Sequence, residues 1–574
     1  MMNSAIGFGS SRRVRHQVTL PPPKPKVLAA WLEELPLANA MYCYDAVEAV
    51  LKYFNGEASI PPAVRLELAN LLRPTVCLLT RQAETHFMDA PLPYHPKANF
   101  YAGLAFLLQE ELAMAYALAA FETKPAQGWF NHGEHQLLNA LYRALQHMGM
   151  VLLRTAQRYL TPQPDYWSTL FRLYRLAEER NLLAAHFEDS EEPDACKTPL
   201  GVFKRGLLFD LASTRHLRQR EMSRVYELLG TLADHAKWNA ESAQKGNSAE
   251  FAIRLDEGRP PVRGHFASSG KEPRVRFLYT WDLAKMLVKI AGESKPGSNG
   301  DKPSIDREVL LGVARNLEGI QKRKAERKPR DGVCHCVVGL NKLVNLLSQS
   351  ESMEVSPVPM KSDSMDDTVV LDLIPRASGE APPPSLEIEE VDLRSEITLP
   401  KLLKKNQLTR EDIWIVEDER ASPEEKPVVS VEGRIANAGL HDYCIVWPAG
   451  QVAEIKVGEL IGIHDQEHSL FIGVIRWLHC GEGRVRFGVE LLTLSAGVVE
   501  LLDGDMKPMA KGLYLPPEWG LRSTPELLAL PGKIQPGGMV RMGDEADGKL
   551  FRAQSLLKSA ASFNRFAMAA VKIA

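Results

Sequence analysis

The 574-residue sequence lacks any evident run of the roughly 18 to 20 apolar residues needed to cross a bilayer. Its start, "MMNSAIGFGSSRRVRHQVTLPPPKPK", also lacks the apolar centre of a secretory signal, so a cytoplasmic protein is expected. Cysteine is scarce. Cys43, Cys77, Cys196, Cys334, Cys336, Cys444 and Cys480 are odd in number and scattered, mostly in apolar context, which suits reduced, buried thiols better than a disulfide framework. Excess charge of either sign is missing as well: 69 Lys and Arg against 72 Asp and Glu leave a formal net charge of -3, with no global pull towards nucleic acid or an anionic membrane. No phosphate-cradling GxxxxGK[ST], nucleophile elbow or zinc-type cysteine pairing is found, so a binding protein is expected rather than an enzyme.

Two clusters imitate metal sites. "NHGEHQ" sets His132 and His135 three apart around Glu134, unlike the four-residue separation that puts two histidines on one helical face, and it reads as a polar helix start. Cys334, His335 and Cys336 alternate through a β-branched run, so the sulfurs share one strand face and the imidazole takes the other. Neither metal nor cofactor is expected.

The length exceeds what one hydrophobic core supports, so three or more units are expected. Residues 1–25 read as a disordered, Pro-stopped lead-in. Over 26–245, segments such as "AMYCYDAVEAVLKYF" and "DYWSTLFRLYRLAEERNLLAAHF" repeat apolar residues at helical spacing, predicting an all-helical domain with Trp167, Phe171 and Tyr174 in its core. No fixed repeat period emerges. Residues 246–350 read as mixed α/β. Residues 351–428 form an acidic, Pro- and Ser-rich linker or insertion, with twelve Asp or Glu between 351 and 400 against Lys361, Arg376 and Arg394. Short strands cut by glycine and Asp or Asn turns over 429–497 predict a small antiparallel barrel or sandwich, and 498–574 a further small β unit. The predicted fold class is multidomain α+β.

One stretch stands out: "QKRKAERKPRDGVCHCVVGL", residues 321–340, places six cations in ten residues before an apolar strand. A basic helix end is one reading, since the helix dipole favours cations there. The β region supplies another. Ala436 and Gly439, then "VGELIGI", "GVIRWL", a polar turn and "RFGVELL" resemble the PilZ domain, a six-stranded barrel that binds cyclic di-GMP. In that family an RxxxR pair precedes the first strand and a [D/N]xSxxG turn follows. "RKAER" matches the first through Arg323 and Arg327, and "VCHCVVGL" supplies the strand. "WLEELPLANA" and "RLELANLLRPTVCLL" resemble the helical part of a long, two-part PilZ subfamily.

The resemblance implies a non-enzymatic cyclic di-GMP receptor whose helical domain signals to a protein partner. It assigns Arg323 and Arg327 to phosphate and guanine, with Arg330 beside them and Gly439 allowing close backbone approach. The second motif departs from the family: in "RIANAG", residues 434–439, Arg434 and Ala436 stand where an acid or amide and a serine are usual. Losing two polar contacts weakens binding by roughly ten- to a thousand-fold, offset in part if Arg434 meets a phosphate. The alternative is an interaction scaffold whose barrel has lost its ligand. Nucleic acid is not an expected partner, because the basic run carries no aromatic.

Overall fold

The computed structural model describes residues 19–124, 132–188, 196–241, 249–263, 274–293, 305–319, 328–351, 430–439, 441–448, 455–465, 470–481, 483–518, 521–543, 548–560 and 562–571. Most of the lead-in, the RxxxR residues Arg323 and Arg327, and the acidic insertion lie outside them. Residues 349–428 form a separate unit, and the elements below belong to the other, residues 1–348 with 429–574, α11 alone running past the boundary.

Eight helices come first: α1 (Pro25–Glu33), α2 (Ala40–Gly56), α3 (Pro62–Phe87), α4 (Pro96–Glu122), α5 (His132–Gln157), α6 (Pro164–Glu179), α7 (Pro199–Leu211) and α8 (Gln219–Leu232). Five of these begin on proline, whose fixed φ suits the first helical position and whose missing N–H is not needed there. Side-chain caps start three of them: Asn39 accepts from the Tyr42 N–H at 3.2 Å, His95 Nδ1 from the Lys97 N–H at 3.4 Å and Thr198 from the Gly201 N–H at 3.1 Å. Trp167, Phe171 and Tyr174 are buried, as their spacing predicts.

Helix α4 corrects the reading of hydrophobic runs. Its 27 residues are long and apolar enough to cross a membrane, yet 67% of its apolar stretch is buried inside the protein. It is apolar all round because α2, α3 and α5 surround it, and its alanines allow those neighbours to approach closely.

A four-stranded sheet follows, built from β1 (Lys237–Asn239), β2 (Glu250–Arg254), β3 (Val262–Arg263) and β4 (Val275–Tyr279) in the order β1-β4-β2-β3. β1 already lies within the stretch whose sequence reads as helical. Next come α9 (Trp281–Glu293) and α10 (Arg307–Leu317), then β5 (Lys328–Val338) and α11 (Leu340–Glu351).

Beyond the insertion run β6 (Val431–Ala438), β7 (Asp442–Pro448), β8 (Leu460–Asp465), β9 (Phe471–Gly481) and β10 (Arg484–Thr493). With β5 they close a six-stranded antiparallel barrel in the order β10-β7-β6-β5-β8-β9. "VCHCVVGL" is thus a barrel strand, although its partner β6 lies far along the chain. Cys334 and Cys336 face the interior with their sulfurs 3.9 Å apart, while His335 is exposed on the other face. Ile435, Ile445, Leu478 and the T-shaped pair Trp447–Phe487, 4.8 Å between centroids, fill the same interior.

The C-terminal unit is a second closed barrel: β11 (Gly497–Leu502), β12 (Pro508–Leu515), β13 (Glu526–Ala529), β14 (Met539–Met542), β15 (Lys549–Ser559) and β16 (Asn564–Ala570), ordered β11-β12-β13-β16-β15-β14. Counting each barrel's strands one to six along the chain, both run 1-2-3-6-5-4 around the ring, and every neighbouring pair is antiparallel. The two barrels share one connectivity but not one core. Val499, Leu501, Leu527, Val540, Phe551 and Phe566 form a cluster of their own, whereas the first barrel's interior is continuous with the helical core.

That continuity is reinforced by hydrogen bonds. Leu92 and Ile455 exchange backbone bonds of 3.0 and 3.1 Å, and the Cys480 N–H donates to the Tyr159 carbonyl at 2.8 Å. Arg218 Nε donates to the Val457 carbonyl at 2.8 Å. Tyr159, two residues past α5, lies in the left-handed region at φ 54°, a conformation that costs a non-glycine residue energy and here turns its carbonyl towards β9.

Candidate functional site

The segment holding Arg323 and Arg327 precedes β5, and Lys328, the residue after it, pairs with Ala438, next to Gly439. Pro329 has no N–H for a ladder, and the β5–β6 pairing shifts register between Pro329 and Gly332. This irregularity presents Asp331 to Arg434, whose Nη2 donates to both carboxylate oxygens at 2.9 and 2.8 Å. Both side chains are largely exposed. Arg330, the preceding residue, turns towards the opposite neighbour strand and reaches Asp465 on β8 at 3.2 Å, a carboxylate only 3% exposed.

β6 carries the altered motif. A second register shift falls between Ile435 and Asn437, leaving Ala436 as the extra residue, and the Gly439 N–H donates to the Asp442 carbonyl at 2.7 Å to close the turn into β7. Strand register then lays out two rows across the outer face. The first runs Val333, Arg434, Val446, Arg486, His479 over β5, β6, β7, β10 and β9. The second runs Pro329, Asn437, Cys444, Gly488, Trp477 over the same strands. Alternation fixes the face, because Ile435, Ile445, Phe487 and Leu478 beside these positions are all interior.

The indole of Trp477 lies across Gly488, where any Cβ would collide with its ring nitrogen. Glycine at 488 therefore leaves room for a half-buried aromatic on an outer barrel face. Asn437 Oδ1 is buried and has no hydrogen-bond partner among the described residues, an acceptor left without a donor. The face thus offers guanidinium cations for phosphate, an aromatic plane for a base and an amide oxygen for ring N–H groups.

Of the residues expected from sequence, Arg434 and Gly439 lie at this face, Arg330 is tied to Asp465 beneath β8, and Arg323 and Arg327 are outside the described residues. Sequence reasoning missed Asp331, Asn437, Trp477 and Arg486. The alternation in "GRVRFGVEL" carried a signal for Arg486 and Gly488, which share a face two apart. Among the described residues there is no group of three or more His, Cys, Asp or Glu able to hold a metal ion.

Comparison with known families decides the assignment. Residues 26–242 match the family described as cyclic-di-GMP receptor FimW, N-terminal domain, and residues 250–497 match the cyclic-di-GMP receptor FimW, middle PilZ domain. The chain belongs to the FimW family. The FimW match bridges the acidic insertion and makes the first barrel a PilZ domain, with β2 to β4 of the four-stranded sheet and α9 to α11 inside the matched region and β1 inside the N-terminal match. It stops at residue 497, where the second barrel begins. The cyclic-di-GMP receptor FimW of Pseudomonas aeruginosa is 22% identical over 94% of this chain and 90% of its own length, so the FimW likeness extends past residue 497 into the second barrel. No solved structure matches.

Proposed function

We propose that this FimW-family protein is a non-enzymatic receptor for cyclic di-GMP, the ligand named for its relative. The observation that carries the reading is convergence on one barrel face: Arg434, Asn437 and Trp477 stand in adjacent rows where the chain leaves the RxxxR segment and enters β5. Arg323 and Arg327 fork onto phosphate and guanine edges, Trp477 stacks on a base, and Asn437 accepts from guanine N–H groups.

Arg434 replaces the usual acid or amide with a cation. Its pair with Asp331 is exposed and worth at most about 1 kcal/mol, so a phosphate displaces Asp331 at little cost. The exchange favours phosphate over the guanine contact that a carboxylate makes. The helical domain, sharing a core with the barrel, passes the bound state to a protein partner.

Isothermal titration of the full chain with cyclic di-GMP, using GTP and cyclic di-AMP as controls, tests this. Guanine-selective binding at micromolar or lower Kd, lost in Arg323→Ala plus Arg327→Ala, supports the receptor. No heat at high ligand concentration sinks it and leaves the scaffold reading, in which Arg434 serves Asp331 alone.

A further inference from the structure

The first outer row does not end at the barrel. His479, its last member, meets Thr161 Oγ1 through Nε2 at 3.1 Å, and Arg215 Nη2 donates to the same hydroxyl at 3.1 Å. Thr161 follows α5, and Arg215 lies in the short 3-10 turn Thr214–His216, which packs on β9. The row of side chains Arg434, Arg486, His479 thus continues into the helical domain through Thr161 to Arg215.

Arg215 and Arg486 are both exposed, and neither makes an ion pair among the described residues. They are close enough that the charge of Arg486 helps lower the pKa of Arg215, after the larger effect of burial. Among the described residues, the carboxylate that answers Arg215 electrostatically is Asp210, whose own pKa burial raises to about 6. Two guanidinium groups from different domains therefore face each other across a junction that backbone hydrogen bonds hold fixed. Such a pair is repulsive until an anion lies between them.

We propose that Arg486 and Arg215 form a second anion subsite, filled by the far phosphodiester of the cyclic dinucleotide whose near phosphodiester meets Arg434. The inference rests on the receptor reading and adds a residue of the helical domain to the binding site. Arg434 and Arg486 are separated by one intervening strand, roughly 10 Å at ordinary strand spacing, and the ligand carries its two phosphodiesters on opposite sides of one ring. Ligand affinity then depends on docking of the two domains, and the ligand in turn favours the docked state.

The test is titration of the full chain, wild type and variants, with cyclic di-GMP and with linear GpG, which has a single phosphodiester. Arg215→Ala and Arg486→Ala should each weaken cyclic di-GMP binding by about ten- to a hundred-fold while changing GpG binding far less. Arg215→Lys and Arg486→Lys should recover part of the loss, and each alanine variant should show a shallower dependence of log Kd on log salt. Unchanged thermal unfolding separates these effects from misfolding, since both side chains are exposed. If wild type binds and both alanine variants match it, the subsite is wrong and the receptor reading stands; if wild type fails to bind, both fall.

Discussion

Arg330 and Asp331 are adjacent in β5 and tie it to different strands, which gives them different consequences. Removing Arg330 takes one ion-pair partner from the buried Asp465, so Arg330→Ala is expected to cost about 1 to 3 kcal/mol in urea unfolding, less than for a fully buried pair because Arg330 is partly exposed. Arg434→Ala breaks only an exposed pair and should change stability by less than about 1 kcal/mol while weakening cyclic di-GMP binding at least tenfold by titration. The reverse pattern would exchange their roles. Asp210 supplies a pH test. Burial raises its folded pKa to about 6 from an unfolded value near 3.9, so its neutral form stabilises the fold below about pH 4 and that contribution is lost as pH rises through 6. Asp210→Asn should therefore be more stable than wild type by roughly 2 kcal/mol at pH 8 and nearly equal at pH 4, measured by thermal unfolding at both. Arg434 was legible as a site candidate from its altered motif, but the opposite directions of Arg330 and Asp331 were not, because the two are adjacent in one charged run and only the register shift at Pro329 separates them.

Elements were easier to read than side-chain directions. Helical spacing gave α2, α3, α5 and α6, and the β-branched run after the basic cluster gave β5. The second barrel was visible only as scattered strands, since its closure depends on pairing β13 with β16 and β11 with β14 across long stretches of chain. Likewise α4 was not flagged, because Gln109, Glu110 and Glu111 interrupt its apolar run in the sequence. The Trp477 platform was hidden because its value depends on Gly488 in another strand. Two glycines test this arrangement. Gly433 abuts the interior Trp447, which is 1% exposed and cannot yield, so Gly433→Ala should lower stability by about 1 to 3 kcal/mol in chemical unfolding. Gly488→Ala pushes instead on Trp477, which can swing outward; a shift in tryptophan emission with weaker ligand binding and a smaller stability loss is expected. Equal destabilisation by both would mean that Trp477 is as fixed as Trp447.

At the scale of the molecule, core continuity sets cooperativity. The helical domain and PilZ barrel share one apolar cluster and are joined by backbone bonds at Leu92 and Tyr159 and by the Arg218 side chain on the Val457 carbonyl, whereas the C-terminal barrel has a separate core. Calorimetry should resolve two cooperative transitions, one for helices with the PilZ barrel and one for the second barrel. Saturating cyclic di-GMP should raise only the first. Independent melting of the helical domain would contradict the shared core.

The placement of β5 also matters while the protein is being made. β5 leaves the ribosome well before β6, and the residues between Val338 and Val431 take roughly 5 to 20 s to synthesise at about 5 to 20 residues per second. Through that interval Cys334 and Cys336 have no barrel interior to enter, and both edges of the strand are open. The helices emerge earlier, so Leu92, Tyr159 and Arg218 already wait as docking points when β8 and β9 arrive. During biosynthesis the helical domain is thus the template on which the nucleotide module closes.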